Sequence, residues 1–363
     1  MDYGALGDGK TDDSQAFASA FSSACKAEGM STLIIPAEKS FRATEVTFKG
    51  PCNAKIHIQF DGKIVAPPKE EWKNVKYLIS IEFLDGLTID GNGQGGADGD
   101  GSTWWQCQGC DRPGVLFLMV HVFYFHSCND LSVNNIMVTN SPSNHVSVNK
   151  CNGATFSHIS IDAPPTSPNT DGFDISFSNN ILVEDSNIKS GDDCIAINGG
   201  STFINATGVT CGPGHGISVG SLGKARPDDQ VSDVHVRNCT FTKTSNGGRI
   251  KTKMGGSGYA KNINFEQIIL VNVKNPIVID QKYDESELDT DVVVSDVTFR
   301  GFTGTCSGNI AINLDCSSSG CHNILLDQNN IMSTSGKKLS VVCNNAYGTA
   351  TNTIPNVTCL LKE

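Results

Sequence analysis

One stretch of the chain, residues 155 to 197, decides the fold: TFSHISIDAPPTSPNTDGFDISFSNNILVEDSNIKSGDDCIAI. Short apolar alternations, such as those at 173–175 and 195–197, are separated by Asn, Ser, Gly and Asp. Such alternations with turn residues between them are typical of β-strands. Polar blocks recur at the same point of each unit, and this pattern indicates a β-solenoid, in which strands stack coil upon coil.

The same pattern extends outward from about residue 129. Each unit opens with a phrase such as Leu131-Ser-Val133, passes a turn and reaches a second strand such as Val146-Ser-Val148. The period is irregular, roughly 21 to 34 residues, as in a solenoid without a consensus repeat. A jelly-roll sandwich is the structural alternative, but it does not predict polar blocks at the same point of each unit. We therefore predict an all-β solenoid.

An amphipathic helix precedes the strands. Apolar residues recur at helical spacing at Phe17, Ala20, Phe21, Ala24 and Cys25. Thr11 or Asp12 is the predicted N-cap. Because a solenoid has open ends that need covering, we interpret residues 10–30 as a cap. No linker is visible, and we predict a single domain over residues 1–363.

Composition excludes several functions. The chain has 363 residues, a net charge of −11 and only 18% charged residues. No basic stripe is present to match phosphates, so nucleic acid is excluded as a partner. The longest apolar run, Val115 to Phe125, is too short to span a bilayer. An acidic substrate would need a local basic site.

The fourteen cysteines indicate disulfides and an oxidising compartment. Cys107-x-x-Cys110 lacks the second pair that a zinc site needs, so no metal site is predicted. Glycosylation sequons agree with secretion and begin at Asn205, Asn238 and Asn356. The chain opens at Met1 in structured sequence, and we expect a removed leader and an extracellular protein.

Four polar blocks carry the chemistry: NTD at 169–171, GDD at 191–193, GHG at 214–216 and RIK at 249–251. Their key positions, 171, 192, 215 and 249, are 21, 23 and 34 residues apart, close to one coil of a solenoid. If each block lies on a neighbouring coil, three carboxylates, an imidazole and two cations meet. This combination suits acid–base cleavage of an anionic sugar polymer.

The charged residue types fit that chemistry. Arg249 and Lys251 face one side of a strand, where they can bind a carboxylate, although a solvated surface is the simpler interpretation of an isolated Arg-x-Lys. The adjacent carboxyls of Asp192 and Asp193 repel, which favours one protonated and one ionised group, an acid and a base. Asp171 adds a third carboxylate. Asp174 is interpreted as a turn or ladder residue.

His215 lies between glycines, which we interpret as access for a ligand, and can orient an acid near carboxylates. His145 is a weaker candidate for substrate contact. Tyr283 follows a strand and could line the same cleft, while Trp104 and Trp105 are assigned to packing. A structural role is the default for His57, His121, His126, His158, His235 and His322.

These blocks, in this order, resemble the signature motifs of the polygalacturonases, glycoside hydrolase family 28. SPNTDG at 167–172, SGDDC at 190–194, CGPGHGIS at 211–218 and RIKT at 249–252 are similar to plant members in particular. The opening DYGALGDGKTDD at 2–13 also fits, so the resemblance covers nearly the whole chain. It implies a right-handed parallel β-helix that hydrolyses α-1,4 bonds of homogalacturonan with inversion, without metal or cofactor. It further implies a secreted monomer of the plant cell wall, with endo action and with polygalacturonase-inhibiting proteins as possible partners.

The resemblance implies roles by motif. Asp192 would be the general acid, Asp171 and Asp193 would position and deprotonate the attacking water, and His215 would hold the acid in its protonation state. Substrate would be bound by Arg249, Lys251, Asn169 and Tyr283.

Two features depart from the expected pattern. Carboxylates on neighbouring coils could lie nearer the ~5 Å of a retaining enzyme than the ~6.5–9.5 Å of an inverting one. Plant relatives often carry a Cys soon after the tyrosine, whereas Asp284 follows Tyr283 here. The family's disulfide pattern is therefore not transferred, and Cys194 with Cys211 is the one pairing expected.

Alternative functions remain. Exo-polygalacturonase and rhamnogalacturonan hydrolase differ in cleavage mode and in backbone. A calcium-dependent pectate lyase would use Arg249 as its base, but would leave the GHG block without a role. A non-catalytic wall-binding β-helix would not need the acid pair.

Overall fold

The computed structural model describes residues 1–72, 76–105, 120–223, 228–283 and 291–362. The chain divides into two compact units. Unit 1 comprises Met1–Asp174 and Ile181–Asp192, and unit 2 comprises Ile175–Asn180 and Asp193–Glu363. The expectation of a single domain stays a prediction.

The described residues of unit 1 form two α-helices, one 3-10 helix and short strands. The helices are α1 (Ser14–Lys26) and α2 (Ser102–Trp105), and the 3-10 helix is Lys69–Glu71. The strands are β1 (Asp8–Asp12), β2 (Met30–Ile35), β3 (Ser40–Arg42), β4 (Val46–Lys49), β5 (Lys55–Phe60), β6 (Lys63–Val65), β7 (Tyr77–Glu82), β8 (Thr88–Asp90), β9 (Gly96–Asp98), β10 (His121–His126), β11 (Asn129–Asn134), β12 (Met137–Thr139), β13 (Val146–Asn149), β14 (Asn152–Ser157) and β15 (Ser160–Asp162). The chain passes between the units in β16 (Phe173–Ser176) and β17 (Asn179–Glu184), and β18 (Asn187–Lys189) returns to unit 1.

Unit 2 continues with strands alone in its described residues. They are β19 (Ile195–Ile197), β20 (Ser201–Thr207), β21 (Thr210–Cys211), β22 (Ile217–Leu222), β23 (Asp229–Arg237), β24 (Thr240–Thr242), β25 (Asn246–Thr252), β26 (Gly258–Val273), β27 (Asn275–Asp280), β28 (Val293–Cys306), β29 (Ile310–Asp315), β30 (Cys321–Asp327), β31 (Asn330–Ser333), β32 (Ser340–Asn344) and β33 (Ala346–Thr351).

In the part of the chain that the structure describes, the strands pair in parallel, and each pairs with the equivalent strand of the next coil. In unit 1, β4, β7, β10 and β13 form one ladder. In unit 2, β19, β22, β25, β27, β29 and β32 form another. This pairing confirms the predicted parallel β-helix and excludes the sandwich, whose sheets are antiparallel.

Single residues in the left-handed conformation turn the corners between strands. Asn135 (φ 57°), His158 (φ 54°) and Asp185 (φ 46°) occupy equivalent corners, after β11, β14 and β17. Asn and Asp tolerate this conformation because their side chains bond to the local backbone. The corner position also gives His158 the structural role assigned to it.

The helix α1 covers the first strands of unit 1. Its buried residues Phe17, Ala20, Phe21 and Ala24 are the predicted apolar stripe. Phe17 packs edge-on against Phe41 at 5.6 Å, and Phe21 packs on Phe48 at 4.8 Å between ring centroids. The predicted N-cap was wrong: Asp13 is the N-cap residue. Its carboxylate accepts the N–H groups of Leu6 and Gly7, so the side chain fastens the chain before the helix.

Aromatic rings stack along the interior of each unit. In unit 1, Phe125, Phe156 and Phe173 follow one another with centroids 5.3 Å apart at each step. In unit 2, Phe265 and Phe299 stack in parallel at 5.5 Å. Because each coil buries its ring against the next, the core is a column along each unit.

Disulfides link Cys25–Cys52, Cys194–Cys211, Cys316–Cys321 and Cys343–Cys359. The expected pairing of Cys194 with Cys211 is confirmed. Buried thiols are present at Cys128, Cys151, Cys239 and Cys306. Cys107 and Cys110 lie outside the described residues. Among the helices that the structure describes, none has the length and apolarity needed to cross a membrane.

Candidate active site

Strand β25 presents the two predicted cations on one face. Ile250 is fully buried in the core, while Arg249 and Lys251 lie on the opposite face. Both cations are themselves largely buried, with 9% and 8% of their surface exposed. A solvated surface strand is thereby excluded, because charges buried to this degree require partners.

Asp193 is the partner of both cations. Its Oδ1 accepts hydrogen bonds from Arg249 Nη2 at 2.7 Å and from Ser218 Oγ at 2.8 Å. Its Oδ2 accepts one from Lys251 Nζ at 2.8 Å. Arg249 Nε also donates to Ser218 Oγ at 2.9 Å, which closes the network.

The network fixes the charge of Asp193. Burial alone would raise the pKa of Asp193, but Arg249 and Lys251 outweigh burial and hold that pKa below its ordinary value. Burial likewise opposes the charge of Lys251, yet the attraction of Asp193 raises the pKa of Lys251. Asp193 is therefore ionised at neutral pH.

Tyr283 and His215 join this group within unit 2. The ring centroid of Tyr283 lies 5.9 Å from Arg249 Cζ and 5.2 Å from Lys251 Nζ. A ring nitrogen of His215 lies within 4.8 Å of a carboxylate oxygen of Asp193. Unit 2 thus brings together the predicted residues Asp193, His215, Arg249, Lys251 and Tyr283.

The residue after His215, Gly216, must be a glycine because its surroundings leave no space for a side chain. A Cβ on Gly216 would lie 2.4 Å from the carbonyl oxygens of both Asn246 and Gly247 in β25. The interpretation of this glycine as access for a ligand was therefore incomplete, since the neighbouring strand needs the space. The Gly216 carbonyl accepts the N–H of Cys194, and Asn246 Nδ2 donates to the His215 carbonyl, so the imidazole stands on a fixed backbone.

In unit 1, the NTD block is held by its backbone. The carbonyl of Asp171 accepts the N–H of His145 at 2.8 Å and lies 3.0 Å from His145 Nδ1. Ser143 Oγ donates to the Asn169 carbonyl at 3.2 Å. Asn169 is exposed and Asp171 half-buried. The backbone of Asp171 is thus fixed by contacts within unit 1.

The same unit ties the NTD block to the GDD block. The N–H of Gly191 donates to Thr170 Oγ1 at 3.0 Å, and Thr170 Oγ1 lies 2.7 Å from Ser167 Oγ. A Cβ on Gly191 would lie 1.8 Å from the carbonyl oxygen of Ser167, so only glycine fits. Asp192, half-buried, follows at once, and its carbonyl accepts Ser190 Oγ.

Two contributors were missed from the sequence, the hydroxyls of Ser218 and Thr170. Ser218 is aligned with Arg249 between β22 and β25. Strand alternation places Ser218 on the same face as its neighbours on the stack, and this signal could have identified it.

His145 is a support for Asp171 and not the surface contact considered above. It is fully buried, and burial lowers its pKa to about 4, so the ring is neutral. Its Nε2 has no hydrogen-bond partner among the residues that the structure describes.

Three other side chains were predicted to have structural roles, and the structure describes the position of each. Trp105 Nε1 donates to the Ser141 carbonyl, and Trp104 packs edge-on against Trp72. Asp174 lies in β16, as a ladder residue. These positions agree with packing roles.

The fold places the chain among the parallel β-helix proteins, and in unit 2 the buried carboxylate of Asp193 pairs with two buried cations. A family model described as glycosyl hydrolases family 28 matches residues 25–353. The chain belongs to this family.

The relatives agree with that assignment. The chain is 41% identical to a protein of Arabidopsis thaliana described as "Probable polygalacturonase", over 99% of this chain and 79% of that protein. It is 40% identical to a polygalacturonase of Persea americana, over 95% of this chain and 76% of that protein. Among solved structures, endo-xylogalacturonan hydrolase from Aspergillus tubingensis matches with a TM-score of 0.84 and 25% identity, over 98% of this chain and 97% of that one. The right-handed β-helix expected from the sequence is confirmed.

Proposed function

We propose that the protein is a polygalacturonase, which hydrolyses α-1,4 bonds between galacturonate residues of demethylated pectin. The observation that carries this proposal is the pair of buried cations, Arg249 and Lys251, on one sheet face of a protein with a net charge of −11. The two relatives named polygalacturonases are 41% and 40% identical to this chain, which favours this backbone over rhamnogalacturonan.

In the proposed mechanism, Asp192 is the general acid that protonates the leaving oxygen. This assignment rests on the GDD motif and on the fixed backbone of Gly191. The half-buried Asp171 takes the proton of the attacking water. Asp193 differs from the sequence-based expectation in one respect, because a fully buried carboxylate with a lowered pKa is a poor base. We assign Asp193 to orienting Arg249 and Lys251.

The remaining residues act on the substrate. Arg249 and Lys251 meet a galacturonate carboxylate, and Tyr283 offers its ring beside them. His215 keeps the acid in its protonated form, and the exposed Asn169 contacts a neighbouring sugar. Inversion, endo action, extracellular location in the cell wall, a monomeric state and inhibitor-protein partners remain predictions.

The test is incubation with polygalacturonic acid in the presence of a metal chelator. We expect new reducing ends without an unsaturated chromophore, and a ladder of early products if the action is endo. A chromophore that disappears on chelation would show a calcium-dependent lyase. Absence of cleavage at every mildly acidic pH would contradict the proposal. Product anomers followed by NMR will test inversion.

A further inference from the structure

The ladder of unit 2 continues beyond the cations in two columns of side chains. Arg249 pairs with Val278, which pairs with Asn313. Lys251 pairs with Asp280, which pairs with Asp315. Because alternate residues of a strand face the same side, these columns share one face of the sheet.

The character of this face changes at the first rung beyond the cations. The rung of β25 presents a guanidinium and an ammonium. The rung of β27 presents an isopropyl group at Val278, which is 6% exposed, and a carboxyl at Asp280. A negative charge is thus attracted on one rung and opposed on the next.

The surroundings of Asp280 set the strength of this opposition. Burial raises the pKa of Asp280, and Asp315 adds to the rise, whereas Arg249 and Lys282 lower it. The N–H of Lys282 donates to Asp280 Oδ1 at 3.0 Å. Asp315 accepts Lys282 Nζ at 2.7 Å and Asn344 Nδ2 at 2.8 Å, so the lysine charge is directed to Asp315. A further carboxylate beside Asp280 is repelled at pH values above the pKa of Asp280, where Asp280 is ionised.

Each strand of the stack forms one rung. The spacing of the rungs allows successive sugar residues of a polysaccharide to contact successive strands. Stacked strands are about 4.8 Å apart, which is close to the length of one sugar residue in a pyranose chain. If the polysaccharide runs along the stack, a galacturonate bound at Arg249 and Lys251 has a neighbour over Val278 and Asp280.

We propose that the rung of Val278 and Asp280 prefers a methyl-esterified galacturonate, next to the free galacturonate held by Arg249 and Lys251. This inference rests on the proposed function. The ester removes the charge that Asp280 repels, and its methyl group packs on Val278. The preferred cleavage site within largely demethylated pectin is then one at which a free and an esterified residue adjoin.

The experiment compares kcat/KM on partly esterified pectin with kcat/KM on fully demethylated polygalacturonate. Substitution Asp280→Asn removes the repulsion, and we expect the ratio of esterified to demethylated activity to fall by about 3- to 10-fold, as loss of one like-charge contact predicts. Asp280→Glu keeps the charge and should keep the ratio. Asp296→Asn, at an exposed corner of β28 with φ 56°, is the matched control and should leave the ratio unchanged.

A measurement on the unaltered protein covers the case in which Asp280→Asn does not fold. Oligogalacturonates esterified at random are digested, and the products are sequenced by mass spectrometry. We expect esters enriched at one fixed position on one side of the cleaved bond. A random distribution, or an unchanged ratio in a folded Asp280→Asn protein, would overturn the inference. Failure to cleave polygalacturonate at all would overturn the proposed function instead.

Discussion

Asp193 combines complete burial with a full negative charge, and the site of unit 2 is assembled on it. Two cations and the Ser218 hydroxyl converge on its two oxygens. Removing one partner of such a buried network leaves an uncompensated charge, which costs far more than the network contributes as a whole. Loss of this carboxylate should therefore destabilise the fold, and in the proposed function the same carboxylate orients the cations for substrate.

The first prediction concerns Asp193→Asn, which leaves Arg249 and Lys251 without their counterion. We expect the free energy of unfolding at neutral pH to fall by about 3–5 kcal/mol. Because the folded pKa of Asp193 lies below 3.8, its contribution is present above that pH and is lost as the pH falls further. The difference between the two proteins, measured by urea unfolding, should therefore shrink below this pH. The exposed Asp85→Asn is the control, and a difference that is constant with pH would refute the charge-based explanation.

The second prediction concerns Asp192→Asn, which removes the proposed acid. We expect turnover of polygalacturonate to fall by at least ~10²-fold, as for loss of a general acid, with little change in melting temperature. The matched control is Asp185→Asn, because Asp185 lies at an exposed corner with φ 46°, where Asn is well tolerated. Near-normal turnover of Asp192→Asn would show that the acid is another residue.

How far the sequence predicts the site can be seen from single residues. The alternation of side chains along a strand predicts that Arg249 and Lys251 share one face and that Ile250 enters the core. This prediction needs only the strand itself, because alternation does not depend on neighbouring coils. It did not predict that both cations bind Asp193, since this depends on the register between coils. That register shifts between Val219 and Leu222, where β22 meets β25. The helix cap was misplaced because Asp12 and Asp13 are equivalent in sequence and only tertiary contacts distinguish them.

At the scale of the elements, the strands are held mainly by what they bury. Phe299 of β28 is fully buried between Phe265 at 5.5 Å and Phe302 at 5.9 Å. Phe203 of β20 is 54% exposed, at a corner with φ 54°. The apolar pattern of the sequence predicted the strands. It did not predict which of the two rings is buried, because the exposure of a ring depends on the direction in which the chain turns at each corner.

The third prediction compares these two rings. We expect Phe299→Ala to lower the free energy of unfolding by about 3–5 kcal/mol, since the column loses a ring and gains a cavity. Phe203→Ala should cost less than about 1 kcal/mol, because little surface is buried there. Urea unfolding followed by circular dichroism measures both. Equal losses would contradict the burial argument.

At the scale of the whole molecule, the net charge of −11 opposes a polyanionic substrate, while the receiving cations are almost wholly buried. Salt screens interactions between exposed charges more than interactions at buried ones. Moderate salt should therefore relieve the long-range repulsion and leave the local attraction largely intact.

The fourth prediction follows from this difference. Between about 10 mM and 150 mM salt, KM for polygalacturonate should fall by about threefold as the repulsion is screened. Partly esterified pectin, which carries less charge, serves as the control and should show a smaller change. A KM that rises steadily with salt would indicate that the cations, and not the net charge, dominate the encounter.

The stacking of each strand on the equivalent strand of the next coil also bears on how the chain is made. Val234 pairs with Ile263 and Ile263 with Val297, so a strand meets its partner on the order of 30 residues later, as in other solenoids. At ~5–20 residues per second, a ribosome delivers one such coil in about 1.5–6 s. Each coil therefore has seconds in which to dock on the coil before it. Because α1 precedes β2 and every later strand, the cover for that end of the stack is made before those strands. The growing edge of the stack is then the edge that needs protection from aggregation.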